Sequence, residues 1–198
     1  MAQSITEVIL GTGNLFVASE SDLNGSSPNA TFPTNPAATP SASYWDNIGY
    51  SEGGFSLEYD KDIMVAEEID PIKTIKTAQE VRITGELAQA SLRSLKFAMA
   101  GGTTTADAPA SGYTTLVPPT TDSFEEKSLL LRVNAPGNDE AGTSKTRDIH
   151  VPRAVNIGAF SMVHAKAPQK VTITIEYKVL KPNSDAPFAN IFKVIDEV

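Results

Sequence analysis

Apolar and polar residues alternate along much of this chain, with the two-residue period of a β-strand that is buried on one face only. The clearest example spans Val171–Val179, where Val, Ile and Tyr residues alternate with Thr, Glu and Lys residues. In an extended backbone this alternation places the apolar side chains on one face and the polar side chains on the other. The segment is therefore predicted to be a half-buried strand, and its β-branched residues favour the same structure.

Two similar runs lie in the N-terminal half of the chain, at Phe55–Asp60 and Glu80–Leu87. Gly85 falls on the apolar face of the second run, where a glycine marks either a bulge or a close backbone contact. Clusters of turn-forming residues predict hairpin turns at Gly53-Gly54, Asp60–Asp62 and Ala167–Gln169. Weaker alternation predicts further strands at Ile5–Leu10, Leu15–Ser19, Ile63–Ile69, Ser128–Val133, Thr146–Val151, Val155–Val163 and Ile191–Ile195.

One segment, Gln89–Ala100, has helical rather than strand periodicity. Its apolar residues Leu92, Leu95 and Met99 recur at spacings of three and four residues, which places them on one face of a helix. The glycine pair Gly101-Gly102 follows, and glycine just after a helix is a common C-terminal stop. The sequence therefore predicts a single helix over about residues 89–100, packed against a sheet.

Three segments without periodicity are predicted to be extended loops, at about residues 20–43, 102–121 and 134–145. The first contains four prolines among small polar residues, and the second is rich in Thr, Ala, Gly and Pro. Loops longer than about 15 residues in a compact domain are usually functional or act as linkers. The chain of 198 residues fits one domain. The predicted fold is mainly β, an antiparallel β-sandwich or barrel-like structure with one helix.

The composition excludes several classes of function. The chain carries 24 acidic and 16 basic side chains, a net charge of −8, and has no cationic run, so non-specific binding to nucleic acid is disfavoured. It has no cysteine, which excludes disulfides, thiolate catalysis and cysteine-based zinc sites. Residues 1–7 lack the basic and apolar regions of a secretory signal. No apolar run approaches the roughly 18 residues of a membrane helix, so we expect a soluble protein.

Candidate chemistry is sparse. Asp148 and His150 are two residues apart in a predicted strand, so they share a face, and the aspartate could orient the imidazole as a general base. The favoured alternative is two polar residues on the exposed side of an alternating strand. A glycosidase pair among Glu7, Glu58, Glu80 and Glu86 stays open. Acidic pairs at Glu67-Glu68 and Glu125-Glu126 lack the spacing of a calcium loop. We expect no catalytic residue, no cofactor and no metal site.

Several short motifs follow one another in a distinctive order between Tyr44 and Leu180. Trp45-Asp-Asn-Ile-Gly49 precedes the strand at Phe55, and the strand that ends in Glu86-Leu-Ala88 leads into the single helix. Ile69-Asp-Pro71 lies between these two strands, and a basic stretch at Arg147–Arg153 precedes the last strong strand. This order resembles the major tail tube subunits of siphophages and of related prophage or gene-transfer particles.

The resemblance implies a structural virion protein of the tail, assembled in the host cytoplasm, with no enzymatic activity. Such subunits form rings, usually hexameric, that stack into a hollow tube and conduct the genome. The implied partners are further copies of the chain, the tape measure, the tail terminator and distal tail proteins. DNA would pass through the lumen without specific binding, and no membrane would be contacted. Joining half-buried sheets edge to edge would close a large barrel with an aqueous interior and remove the exposed edges.

The alternating strands then predict which residues line the tube. If Phe55–Asp60 and Glu80–Leu87 form the inner sheet, the lumen-facing residues are Glu58, Asp60, Glu80, Arg82 and Glu86. Six copies would carry roughly 18 net negative charges around the channel, which would repel a passing duplex. The alternative is that these residues lie on an outer, solvated face. Residues 20–43 are expected to be mobile in the free subunit and ordered by a neighbouring ring.

Other functions remain open at this point. Another ring-forming tail component, such as a tail terminator or the tube of a contractile injection device, belongs to the same structural class. A carbohydrate-binding β-sandwich module would need exposed aromatic residues on one sheet face, and Trp45 lies in a predicted turn. An enzyme is the least supported of these functions.

Overall fold

Eleven strands and one helix make up the described part of this computed structural model. The structure describes residues 5–10, 12–19, 21, 31–36, 38–51, 53–66, 73–88, 91–106, 114–119, 125–135, 145–159, 172–182 and 190–197. The elements are β1 (Ile5–Leu10), β2 (Gly13–Ser19), β3 (Asp46–Ser51), β4 (Phe55–Ala66), β5 (Lys73–Leu87), α1 (Leu92–Ala98), β6 (Thr103–Ala106), β7 (Thr114–Val117), β8 (Glu126–Ala135), β9 (Lys145–Asn156), β10 (Ile173–Val179) and β11 (Lys193–Asp196).

Nine of these strands form one sheet, in the order β1-β4-β5-β10-β9-β8-β2-β3, with β11 also paired to β9. All of its described strand pairs are antiparallel. β3 and β4 lie near opposite ends of this order but are joined by residues 52–54 alone, so the sheet must curve until its ends approach each other. The mainly β, antiparallel fold with one helix is thus confirmed. Closure as a sandwich or barrel stays a prediction.

The alternating runs of the sequence bury the predicted faces. In β10 the buried residues are Ile173, Ile175, Tyr177 and Val179, while Thr172 and Thr174 are exposed; Val171 lies outside the described residues. Burial raises the pKa of the Tyr177 hydroxyl. The main core joins side chains from both ends of the sheet and from the helix, among them Leu15, Ile48, Phe55, Leu57, Val81, Ile83, Leu87, Phe97, Leu129, Leu131, Ile149 and Val151.

Gly85 marks a close contact rather than a bulge. The register of β5 is regular there, with Gly85 opposite Phe55 in β4 and opposite Ile175 in β10. A Cβ atom on Gly85 would lie 2.6 Å from Cδ1 of Phe55, so the ring of Phe55 occupies the space that a side chain would need.

The predicted hairpin turns need correction. The prediction of a turn at Asp60–Asp62 is wrong, because β4 stays paired with β5 as far as Ala66. The pairing shows only a register shift between Asp62 and Ile63. Gly53-Gly54 does connect two strands, but these strands are β3 and β4, which pair with other neighbours. Ala167–Gln169 lies outside the described residues.

The single helix is shorter than predicted and presents a different face. It spans Leu92–Ala98, and Ser91 caps its N-terminus by accepting the Ser94 N–H. The Ser94 hydroxyl is buried and donates to the Ile48 carbonyl at 3.0 Å. Phe97 is also buried, whereas Leu92 is 39% exposed. The predicted buried face is therefore wrong at Leu92. The helix is instead oriented with Ser94 and Phe97 toward the core, because the buried Ser94 hydroxyl donates to the Ile48 carbonyl.

The C-terminal stop of the helix is confirmed. The Gly101 N–H donates to the Lys96 carbonyl, and the Ala100 N–H donates to the Phe97 carbonyl, which is the bonding pattern of a Schellman cap. Ala100 holds φ of 59°, and it is the non-glycine residue with positive φ in the described part of the chain. The side-chain amide of Asn156 donates hydrogen bonds to the Phe97 and Ala98 carbonyls, and these bonds satisfy two further acceptors of the last helical turn.

The three predicted loops have different outcomes. The prediction of a loop at 102–121 is wrong in part, because Thr103–Ala106 pairs with Thr114–Val117 as a two-stranded hairpin. Threonine is β-branched and favours strands, which explains the error. The loop at 134–145 is too wide at both ends, since residues 134–135 belong to β8 and Lys145 begins β9. Residues 31–36 and 38–43 form neither helix nor strand, in agreement with the predicted loop; residues 20, 22–30 and 37 lie outside the described residues.

Within the described residues, no helix is long and apolar enough to cross a membrane.

Candidate functional site

A charged face runs across the adjacent strands β4, β5 and β10, on the side opposite the core. Glu58 in β4 lies directly opposite Arg82 in β5, and Asp60 lies opposite Glu80. Glu86, further along β5, pairs with Thr174 of β10. The structure thus brings the five predicted residues together on one face, with Glu80 half-buried and the other four exposed.

Two residues of β10 belong to the same face although the sequence did not single them out. Glu176 and Lys178 occupy the polar positions of β10, and Lys178 pairs with Arg82 in register. Their polar character follows from the alternation in Val171–Val179, but the sequence does not reveal that β10 lies beside β5. We define the carboxylate face as Glu58, Asp60, Glu80, Arg82, Glu86, Glu176 and Lys178.

Ion pairs organise the centre of the carboxylate face. Arg82 Nε lies 2.8 Å from Glu80 Oε1, and its Nη1 lies 3.4 Å from Glu176 Oε1. Lys178 Nζ approaches Glu80 Oε1 at 3.3 Å. Hydrogen bonds from Arg82 and then Lys178 lower the pKa of Glu80, and the hydrogen bond to Glu80 raises the pKa of Arg82. The ion pairs of both cations are thus made with Glu80 and Glu176, and Glu58 adds a weaker charge interaction with Arg82.

The edge of the face formed by β4 keeps its negative charge. Glu58 and Asp60, together with Glu80 and Arg82, line a shallow cavity of about 230 Å³. The whole face carries five carboxylates against two cations, a net of three negative charges, which equals the net charge of the five predicted residues. Such a surface can repel a polyanion.

The second candidate, the Asp148–His150 pair, is buried, so the predicted exposed position is wrong. Asp148 is fully buried, and His150 is 3% exposed. Arg132 holds Asp148 through two parallel hydrogen bonds, Nε to Oδ1 at 2.8 Å and Nη2 to Oδ2 at 2.7 Å. Burial alone would raise the pKa of Asp148, but the hydrogen bonds and charges of its neighbours, Arg132 first, outweigh burial and lower it.

The imidazole of His150 is covered rather than presented to a substrate. Phe32 stacks on it with ring centroids 4.3 Å apart and an interplanar angle of 8°. Nε2 of His150 is buried and has no hydrogen-bond partner in the described part of the chain. It lies 3.9 Å from Asp148 Oδ2, beyond hydrogen-bond distance. This arrangement is that of a packed residue and not of an oriented general base.

A small second core explains why these polar residues are buried. Phe32 and Trp45 pack with Ala18 and Leu130 on the outer side of β2 and β8, and Trp45 Nε1 donates to the Thr31 carbonyl at 3.1 Å. Phe32 thus anchors the 20–43 segment on the sheet at one residue, while the expectation that the segment is mobile in the free subunit stays a prediction. Sequence reasoning missed this residue, although a lone phenylalanine among small polar residues is a signal for an anchor.

Other sequence candidates are occupied or are not brought together. Trp45 is buried and cannot stack on a sugar. Glu125 pairs with Lys127, and Glu126 pairs with Arg153, while Glu67-Glu68 lies outside the described residues. In the described part of the chain, no three potential metal ligands come together. No family model matches the chain, and no curated protein matches it.

Proposed function

We propose that this chain is the repeating subunit of a hollow, self-assembling tube of the siphophage tail type, and that the carboxylate face lines its lumen. The observation that carries the proposal is a sheet whose two faces have opposite character over β4, β5 and β10. One face packs into the apolar core, and the other presents charged side chains to water. A sheet of this kind suits the wall of an aqueous channel.

The placement of charge on this face supports the same function. Asp60 and Glu80 lie directly opposite each other, and like charges at paired positions of a sheet reduce stability. Arg82 and Lys178 offset part of this repulsion at Glu80, but the face keeps a net of three negative charges, which is understandable if the negative potential itself has a use. Duplex DNA carries one charge per about 1.7 Å of its axis, so a negative wall lets it pass without binding.

Assembly would use the ends of the sheet. β1 and β3 are the terminal strands of the described order, and a terminal strand has backbone groups that another strand can pair with. Pairing between copies would join the sheets into a ring and remove these edges. In a virion tail the tube would meet the tape measure, the tail terminator and distal tail proteins, and it would be assembled in the host cytoplasm.

Charge reversal on the carboxylate face tests the lumen assignment. Tubes of the Glu58→Lys, Glu86→Lys double variant should assemble as the wild type does, because both side chains are exposed. They should retain short duplex DNA at low salt and release it as salt rises, whereas wild-type tubes retain none. Glu80 is left unchanged because it binds Arg82 and Lys178.

The matched control is Glu197→Lys, which changes an exposed acidic residue away from this face. Its tubes should behave like the wild type. If the double variant retains no more DNA than the control at low ionic strength, the carboxylate face does not line the lumen.

A further inference from the structure

A groove lies between helix α1, strand β2 and the residues that lead into β3. Its volume is about 500 Å³. The walls combine apolar and cationic side chains, and two of the apolar ones, Tyr44 and Leu92, are 38% and 39% exposed. The lining residues that matter for recognition are Tyr44, Asp46, Leu92, Arg93, Lys96 and Lys127. We call this surface the basic groove.

The basic groove is positive in a chain whose net charge is −8. Three cations line it, against the single carboxylate of Asp46. Arg93 lies 3.2 Å from Asp46, and Lys127 lies 2.7 Å from Glu125, just outside the groove. The Arg93–Asp46 pair is exposed on both sides, and such a pair contributes only about 0–1 kcal/mol, so Arg93 can change partners at little cost. The Lys127 side chain is 17% exposed and also lies 5.8 Å from the centre of the Phe97 ring, so only its outer end reaches the groove. Lys96 adds a third positive charge in the last turn of the helix.

The chain also carries a segment of complementary chemistry. β1 pairs with β4 only up to Tyr59, and β10 pairs with β5 only from Arg82 onward. Beyond those positions β4 and β5 pair with each other for seven more residue pairs, as far as Ala66 opposite Lys73. Seven residue pairs of a strand span roughly 23 Å. This two-stranded arm therefore extends past its neighbours within the described part of the sheet.

Residues 67–72 join the two strands of the arm and lie outside the described residues. Their sequence is Glu-Glu-Ile-Asp-Pro-Ile, with three carboxylates and two isoleucines and without a cation. That composition matches a groove lined by three cations and two exposed apolar side chains.

We propose that the basic groove of one copy binds the acidic segment 67–72 of a second copy. The carboxylates of the segment pair with Arg93, Lys96 and Lys127, and an isoleucine packs against Leu92 and Tyr44. The contact joins two different surfaces of the chain, so it is head-to-tail and propagates into a ring or a stack. The contact between copies depends on the proposed function only in the claim that it serves to build a tube.

A peptide experiment tests the contact without requiring assembly. A synthetic peptide of residues 66–73 is titrated into the full chain at a concentration where the chain is dispersed, and amide shifts are followed by NMR. Shifts should appear at α1 and at residues 43–46. The control peptide carries Gln, Gln and Asn in place of Glu67, Glu68 and Asp70. It should bind about tenfold more weakly, the value expected for the loss of three weak ion pairs.

Charge exchange between the two surfaces then tests the contact in the intact chain. Arg93→Glu with Lys96→Glu should abolish oligomers, and so should Glu67→Lys with Glu68→Lys. Combining the four changes in one chain should restore them. Lys193→Glu, an exposed change on β11, is the control and should leave assembly unchanged.

The outcomes separate this inference from the tube proposal. If the wild type forms tubes but the reversed variants also form them and the peptide does not bind, the groove contact is wrong and the tube proposal stands. If the peptide binds the groove and the charge exchange behaves as expected, while the wild type forms oligomers that are not hollow tubes, the contact stands and the tube proposal fails. Equal binding of the acidic and neutral peptides overturns the contact, since charge would then play no part.

Discussion

Arg132, Asp148 and His150 illustrate how a buried polar cluster differs from a catalytic one. Each partner of the Arg132–Asp148 pair is well satisfied by two short hydrogen bonds, whereas His150 has an unpartnered Nε2 within the described residues. Removing one member of a buried ion pair is costly, because it leaves the other charge without compensation. Removing an unsatisfied polar atom is cheap or even favourable. Substitution should therefore cost much more stability at Asp148 than at His150.

Asp148→Asn should lower the free energy of unfolding by about 3 kcal/mol, because Arg132 loses its charged partner. His150→Phe should lie within about 1 kcal/mol of the wild type, because the phenyl ring keeps the stack on Phe32 and removes the orphaned nitrogen. Urea unfolding measures both values. A loss at His150→Phe as large as that at Asp148→Asn would mean that the imidazole has an essential polar role.

Asp148 also predicts a pH dependence of stability. Its pKa in the folded chain lies below the ordinary value of 3.8, so the folded state binds its proton less readily than the unfolded chain does. The resulting stabilisation is complete above about pH 4 and is lost as the pH falls through the lower, folded-state pKa. As the pH falls below about 4, the wild type should lose more stability than Asp148→Asn does. Parallel pH profiles of the two proteins would contradict this.

At the scale of single elements, local patterns predicted the presence of strands better than the residues at which the strands begin and end. The alternation in β5 and β10 was sufficient because each strand buries one face against the same core. Asp60–Asp62 looks like a turn when only its neighbours in sequence are considered. It stays extended because Lys61 pairs with Gln79 and Asp62 pairs with Ala78, a partner choice that local sequence does not contain. The helix face was misplaced for a similar reason, since the bond from Ser94 to Ile48 is a long-range contact.

The helix stop offers a direct test of this local structure. Ala100 adopts φ of 59°, a left-handed conformation that costs an L-residue with a side chain about 1–2 kcal/mol. Ala100→Gly should therefore stabilise the chain by about 1 kcal/mol, after the added flexibility of the unfolded glycine is allowed for. Ala159→Gly is the control, because Ala159 is exposed and has no positive φ. It should be neutral or slightly destabilising. Thermal unfolding of both variants decides the point.

At the scale of the whole molecule, the sequence predicted the composition of the carboxylate face but not its full extent. Five residues on β4 and β5 followed from alternation, since strands that are close in sequence pair readily. Glu176 and Lys178 could not be placed there, because Arg82 and Glu176 are separated by 94 residues in the chain. The buried cluster around Phe32 could not be predicted from the sequence for the same reason, because it forms only when a loop folds over strands that are distant in sequence.

The proposal that the chain forms a tube depends on assembly, which electron microscopy of the purified full-length chain measures most directly. Images should be recorded over a wide range of protein concentration, with and without a tail-initiating complex. We expect rings at intermediate concentration and stacked, hollow tubes when the initiating complex is present. A strictly monomeric protein at every concentration, even with the initiating complex, would contradict the proposal.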